Sequence, residues 1–195
     1  MQLIFATNNQ HKVEEIKAVL PAGMTATSLK EAGIDIDIPE PHDTLEANAR
    51  EKAQTIYRLT QTACFSEDTG LEVAALNGEP GVRSARYAGA EKSFASNIEK
   101  LLHNLQGHAN RSARFRTVIC LMLQDREHFF EGICEGTITE AAQGAEGFGY
   151  DPVFLPQGAT QTFAQMSMTE KNAYSHRRKA VDKLVAFLKQ LSENQ

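Results

Sequence analysis

The pentad Ser66-Glu67-Asp68-Thr69-Gly70 sets two adjacent carboxylates directly after the apolar run Thr62-Ala63-Cys64-Phe65, where a strand meets a tight turn. Carboxylate oxygens at a strand end suit Mg²⁺, which needs one or two side chains and takes its other ligands from water and substrate phosphates. In an extended strand Glu67 and Asp68 point to opposite faces, so one of them serves a given pocket, and Asp68, nearer the turn, is the candidate. The same pair also fits an exposed turn in which Asp68 is an Asx cap. A phosphate-suited segment lies upstream: the strand-like run to Ala6 leads through Thr7-Asn8-Asn9 into a helical pattern at Val13, Ile16 and Leu20. A turn of that kind aims backbone N–H groups and the positive end of the helix dipole at an anion, and Lys12 adds a full charge.

Two further segments carry chemistry-bearing residues. In Phe148-Gly149-Tyr150-Asp151 the glycine permits close backbone approach and the aromatic offers a face to a planar base, although the same pattern also marks a turn over a core. Ser175-His176-Arg177-Arg178-Lys179 opens the last helix, where positive side chains oppose the helix dipole. With Lys171 just upstream, a ligand rich in carbonyl or phosphate oxygen is a suitable compensating partner, while Arg178 and Lys179 read as solvated cations.

These residues need a frame. Pro21 and Gly23 stop the first helix, and Asp43-Thr44-Leu45-Glu46 has the Asp-x-x-Glu form of a capped start for a second that runs to about Leu59. Leu45, Ala49, Ala53 and Ile56 form its apolar stripe; Asn48 and Lys52, four apart, share a flank on which Lys52 either serves a site or snorkels. Glu40 and Glu46 are further acidic candidates, with helix capping an alternative role for Glu46. Leu71 to Leu76 reads as a strand before the loop Asn77-Gly78-Glu79-Pro80-Gly81, and Ile98, Leu101, Leu102 and Leu105 mark a helix. Phe115 to Leu123 and Phe129 to Thr139 form a hairpin across Gln124-Asp125-Arg126-Glu127, and a glycine-rich loop covers residues 144–149. The final helix, from about His176, buries Val181, Leu184, Val185, Leu188 and Leu191.

Composition bounds the whole. With 195 residues and 42% hydrophobic content the chain buries a full core, as a single domain spanning 1–195, in one unit or two small lobes. A formal net charge of −5 argues against a nucleic-acid polymer as partner. Cys64, Cys120 and Cys134 sit in separate apolar runs and read as buried thiols of a reducing compartment. The start lacks a basic leader and no stretch approaches a membrane span, so a cytoplasmic location and no membrane partner are expected.

Together these segments resemble the Ham1-like nucleoside-triphosphate pyrophosphatases, also called inosine triphosphatases. The resemblance rests on Thr7-Asn8-Asn9-Gln10-His11-Lys12, Ser66-Glu67-Asp68-Thr69-Gly70-Leu71, Pro80-Gly81-Val82, Ser84-Ala85-Arg86-Tyr87, Phe148-Gly149-Tyr150-Asp151-Pro152, Glu170-Lys171-Asn172 and Ser175-His176-Arg177, in order over nearly the whole chain. Arg83 stands where many relatives carry an aromatic, and Thr69 where serine is common. The resemblance implies an α/β fold with a mixed, strongly twisted sheet, flanking helices and two lobes around a deep central cleft, assembled as a homodimer. It implies hydrolysis of ITP, dITP and XTP to monophosphate and pyrophosphate, with Mg²⁺ as cofactor. Asp68 would be general base and metal ligand, with Glu40 a second metal contact. Substrate would be held by the 7–12 segment (Thr7, Asn8, Asn9, Gln10, His11, Lys12) with Lys52 and Thr69. Phe148 would pack on the base, and Gly149, Tyr150, Asp151, Lys171, His176 and Arg177 would line its pocket. A Maf-like pyrophosphatase of other preference and a non-catalytic nucleotide sensor are the alternatives.

Overall fold

The computed structural model describes every residue except Pro21, Lys92, Asn194 and Gln195, with the backbone alone at 192 and 193. In chain order the elements are β1 (Gln2–Phe5), α1 (Gln10–Lys17), β2 (Thr25–Ser28), α2 (Leu45–Thr60), β3 (Cys64–Val73), β4 (Pro80–Gly81), α3 (Phe94–Asn104), β5 (Ser112–Leu123), β6 (Arg126–Ile138), β7 (Phe154–Pro156), α4 (Met168–Tyr174) and α5 (His176–Glu193). The strand order is β2-β1-β3-β5-β6-β7, with β4 on β3. β1 is parallel to β2 and β3, whereas β4 and β7 are antiparallel to β3 and β6. The sheet is therefore mixed and flanked by helices, the α/β class the sequence implied.

The chain divides into two compact units: Met1–Asp68, Thr117–Gly132 and Arg177–Gln195 make the first, Thr69–Arg116 and Ile133–His176 the second. Each has its own core. In the first, Leu3 and Phe5 of β1 turn inward at the two-residue period of a strand and meet Phe65, Ile119 and Leu121. The rings of Phe5 and Phe65, paired in register, stack 4.6 Å apart. α5 contributes Ala180, Val181, Leu184, Val185 and Leu188, the 3.6-residue stripe expected of it, with Leu191 half-buried. In the second unit Phe115, Phe154 and Phe163 gather with Leu71, Val73, Leu101 and Tyr150.

Several expectations are corrected. The pentad is not a turn: β3 runs straight through it, and Gly70 is required because a Cβ there would lie 2.7 Å from the carbonyl oxygen of Gly81 in the paired strand β4. The strand read as Leu71 to Leu76 is thus the end of β3. α2 is capped by Thr44, whose hydroxyl accepts the Ala47 N–H, rather than by Asp43. β2, with only Thr-Ala-Thr-Ser to show, was not foreseen. The hairpin turn is two residues, Gln124 and Asp125, both at positive φ (51° and 61°), the primed geometry that suits strand twist. α1 ends at Lys17, and Gly23 lies at φ 86° beyond it; the stop assigned to Pro21 lies outside the described residues. Among the described residues no helix is long and apolar enough to cross a membrane. All three cysteines are buried thiols outside any disulfide.

Candidate active site

In the first unit, β3 delivers Glu67 and Asp68 to opposite sides, and α1 and α2 supply the cations. Asp68 is 7% exposed. Lys52 of α2 donates to its Oδ1 at 3.2 Å and to Glu40 Oε1 at 2.5 Å, so two carboxylates from separate segments converge on one ammonium. Asn48, one turn earlier, donates to Asp68 Oδ2 at 3.4 Å. Burial raises the Asp68 pKa above the ordinary aspartate value, against the opposing pull of Lys52 and Lys12. For Lys52 burial acts downward, but Asp68 and Glu40 outweigh it and the ammonium is held charged. Lys52 is thus neither a snorkelling surface lysine nor a bystander to its stripe, and Asp68 is not an exposed Asx cap.

On the other side of β3, Glu67 is fully enclosed. Arg177, the second residue of α5, grips it with a fork, Nε to Oε2 at 2.7 Å and Nη2 to Oε1 at 2.9 Å, while its Nη1 donates to Glu15 of α1. Lys12 Nζ lies 3.1 Å from Glu67 Oε1. Burial alone would raise the Glu67 pKa; Arg177 and Lys12 hold it well below the carboxylate range, and against burial the carboxylates of Glu67 and Glu15 hold Arg177 charged. The carboxylates of Glu15 and Glu67 therefore compensate the cation at the start of α5, a task the sequence had suggested for a bound ligand. The identity of those partners lies more than a hundred positions away along the chain and is not written in local spacing.

The 7–12 segment divides its work. Asn9 is the N-cap of α1 and accepts the Lys12 N–H, and Thr7 Oγ1 accepts the Asn9 N–H. Asn8 Oδ1 accepts the Lys30 N–H. Gln10 reaches Glu14 on the surface, His11 is exposed and Thr69 half-buried. Residues Gln10, His11 and Lys12 lie in the first turn of the helix, where backbone N–H groups and dipole favour an anion.

In the second unit Lys171 of α4 is 4% exposed and bonded to Asp151 at 2.8 Å. Asp151 Oδ2 also accepts the Phe148 N–H at 2.9 Å, and Gly147 is needed there because a Cβ would strike that carboxylate. The Lys171 ammonium stands 5.3 Å from the Phe148 ring and 5.4 Å from that of Phe163. A recess of about 350 Å³ opens beside Lys171, with Gly147, Phe163, Met166 and Ser167 in its wall. Gly149 sits at φ 64° in the same loop. His176 stacks on Phe115 with ring centres 4.6 Å apart. Tyr150 is a core residue whose hydroxyl donates to the Ser84 carbonyl at 2.8 Å, and burial pushes its pKa up.

Asp68 and Glu40 suit a hard divalent cation: both are oxygen donors, and they already bracket a single positive charge. Among the described residues no group of three or more His, Cys, Asp or Glu is arranged to hold a metal alone. A cation there would take most of its ligands from water and phosphate, which is magnesium's habit.

In the mixed sheet, β3 carries the adjacent buried carboxylates Glu67 and Asp68, which meet Lys12 and Lys52 beside the capped N-terminus of α1. The chain belongs to the Ham1 family, whose model matches residues 3–187. It is 48% identical over 188 residues to the dITP/XTP pyrophosphatase of Flavobacterium johnsoniae, covering 96% of this chain and 98% of that one. It is 49% identical over 188 residues to the dITP/XTP pyrophosphatase of Porphyromonas gingivalis, covering 96% and 97%. Among solved structures, the Staphylococcus aureus Ham1 protein superposes with a TM-score of 0.88 at 39% identity, covering 97% of this chain and 99% of that one. A HAM1 protein from Coxiella burnetii gives 0.89 at 34% identity, covering 97% and 99%.

Proposed function

We propose that this protein hydrolyses deaminated purine nucleoside triphosphates (ITP, dITP and XTP) at the α–β anhydride, releasing the monophosphate and pyrophosphate and so clearing them from the nucleotide pool. The observation that carries the reading is the buried Asp68 carboxylate, held by Lys52 and Asn48 and influenced by Lys12. Asp68 acts as general base. Two donors occupy only part of its lone-pair capacity, so each oxygen can still accept a proton from an attacking water. Its raised pKa strengthens it as a base, and the nearby lysines keep it ionised. Lys12, Lys52 and the N-terminal amides of α1 neutralise the triphosphate as charge builds on the leaving pyrophosphate. Asp68 and Glu40 are the residues that would hold Mg²⁺, which when bound supplies further positive charge to the phosphate oxygens. No covalent intermediate enters, since water is the nucleophile.

Base selection falls to the second unit. Phe148 offers a ring to the base, and Lys171, fixed by Asp151, offers a cationic donor to a 6-keto oxygen. Inosine and xanthine present that acceptor; adenine presents an amino donor, which leaves the ammonium unsatisfied and repelled. His176 lies against Phe115. Arg177, tied into Glu67, serves the phosphate side by fixing the carboxylate that faces Lys12. The working form is a cytoplasmic homodimer.

Purified protein with Mg²⁺ and a panel of ITP, dITP, XTP, GTP, dTTP and ATP, read by pyrophosphate release, tests the reading. ITP and XTP should exceed ATP and dTTP by at least tenfold in kcat/KM, and a chelator should abolish turnover. Turnover of dTTP equal to that of ITP would sink it in favour of a Maf-like preference, and no release from any substrate in favour of a sensor.

A further inference from the structure

We propose that Asn48 is a positioning residue for this hydrolysis: from the same flank of α2 as Lys52, it fixes the second oxygen of the Asp68 carboxylate and ties to it the segment that carries Glu40. The proposal rests on the reading of Asp68 as the base.

Asn48 is 1% exposed, deep for an uncharged amide that is neither acid, base nor nucleophile. Its Oδ1 accepts the His42 N–H at 3.0 Å and its Nδ2 donates to the His42 carbonyl at 3.1 Å. This clasp permits one orientation of the amide, because exchanging O and N would set donor against donor and acceptor against acceptor. The other Nδ2 hydrogen then faces Asp68 Oδ2, at 3.4 Å. Lys52 holds Oδ1 at 3.2 Å. The i, i+4 spacing places both donors on one side of a helix, so a single rigid element grips both oxygens of the carboxylate. A carboxylate held at both ends cannot swivel, and its remaining lone pairs keep a constant direction towards the water they must deprotonate.

The clasp on His42 has a second effect. Residues 39–44 lie between β2 and α2 without regular structure of their own, and Glu40 is two positions from the clasped residue. Lys52 meets the Glu40 carboxylate while Asn48 anchors the backbone two positions further on, at His42. The two acidic side chains are thus set relative to one another by two neighbouring turns of α2. A residue serving only to tether the loop would need His42 alone and would not face Asp68.

The experiment compares wild type, Asn48→Ala and Asn48→Ser for pyrophosphate release from ITP well below the melting temperature. Displacing a reacting group by about an ångström costs up to 100-fold. We expect kcat to fall about 10- to 100-fold in both variants with KM within threefold of wild type. A urea-unfolding cycle of Asn48→Ala with Asp68→Ala should be non-additive, the second substitution shifting the midpoint less when the first is present. If folded variants keep kcat within threefold, or the cycle is additive, Asn48 merely tethers the loop and the proposal fails. Failure of both variants to fold would equally assign Asn48 to the fold and overturn it. A wild type that releases no pyrophosphate from ITP removes the functional reading itself, whereas an active wild type with unaffected variants removes this inference alone.

Discussion

Replacing Glu67 by glutamine tests the buried charge cluster most directly. The side chain is fully enclosed, receives both ends of the Arg177 fork and lies 3.1 Å from Lys12. The glutamine keeps the size and one acceptor but removes the charge, so Arg177, itself 3% exposed, is left with Glu15 as its compensating carboxylate. Breaking a buried pair from one side costs about 3–5 kcal/mol, because the orphaned charge stays desolvated. For a chain of 150–250 residues each kcal/mol moves Tm by about 2–4 °C, which places the loss at about 6–20 °C. Far-UV circular dichroism melts of wild type and variant at neutral pH measure it. The pH dependence follows from the lowered folded-state pKa of Glu67. Its contribution is fully present above the unfolded-state value of about 4.3 and is lost as pH falls towards the folded-state value. The gap between the two melts is therefore constant above about pH 5 and narrows on further acidification. A neutral-pH gap below 3 °C, or one that widens in acid, would refute the assignment of a stabilising charge to Glu67.

Asp68→Asn should lower kcat by about 10²–10⁴-fold, the range for a general base, while circular dichroism stays native; comparable turnover in the variant ends the proposed role. Lys171→Ala should reduce the ratio of ITP to ATP kcat/KM about tenfold, a hydrogen bond from a charged donor being worth about 1.5 kcal/mol or more, and an unchanged ratio would remove Lys171 from base selection. Burial pushes the Cys64 and Cys120 thiols up to about 12, so an aromatic disulfide reagent should label no cysteine of the native protein within minutes at pH 8 and all three in denaturant. Fast native labelling would show that those thiols are not enclosed.

What the sequence revealed was whatever is written at short range. The α2 and α5 stripes, the turn before α1 and the long hairpin all follow from spacing over a few residues, and each is present, the hairpin with a turn of two residues in place of four. Short-range signals also misled. Thr69-Gly70 looks like turn chemistry, yet the glycine answers to Gly81 of the paired strand β4, a neighbour brought in by folding. Thr44 rather than Asp43 caps α2 because the choice between adjacent cap formers depends on where the chain enters the helix. β2 has no apolar run because it needs only Ala26 and Ser28 inward. Within the candidate site, Lys12, Lys52 and Asp68 stood out as charges, whereas Glu15 offered no local cue at all. Asn48 offered one, its place four residues before Lys52, which gained meaning only with His42 and Asp68 on either side.

The order of synthesis adds a constraint. Five of the buried side chains around Phe5 and Phe65 belong to α5, which leaves the ribosome after every strand it covers. Until then a nascent chain carries the oily underside of its first sheet strands uncovered, and Glu15 and Glu67 have no guanidinium. Premature termination before residue 176 would consequently yield a charge-unbalanced fragment with uncovered apolar surface, prone to aggregate and to be held by chaperones.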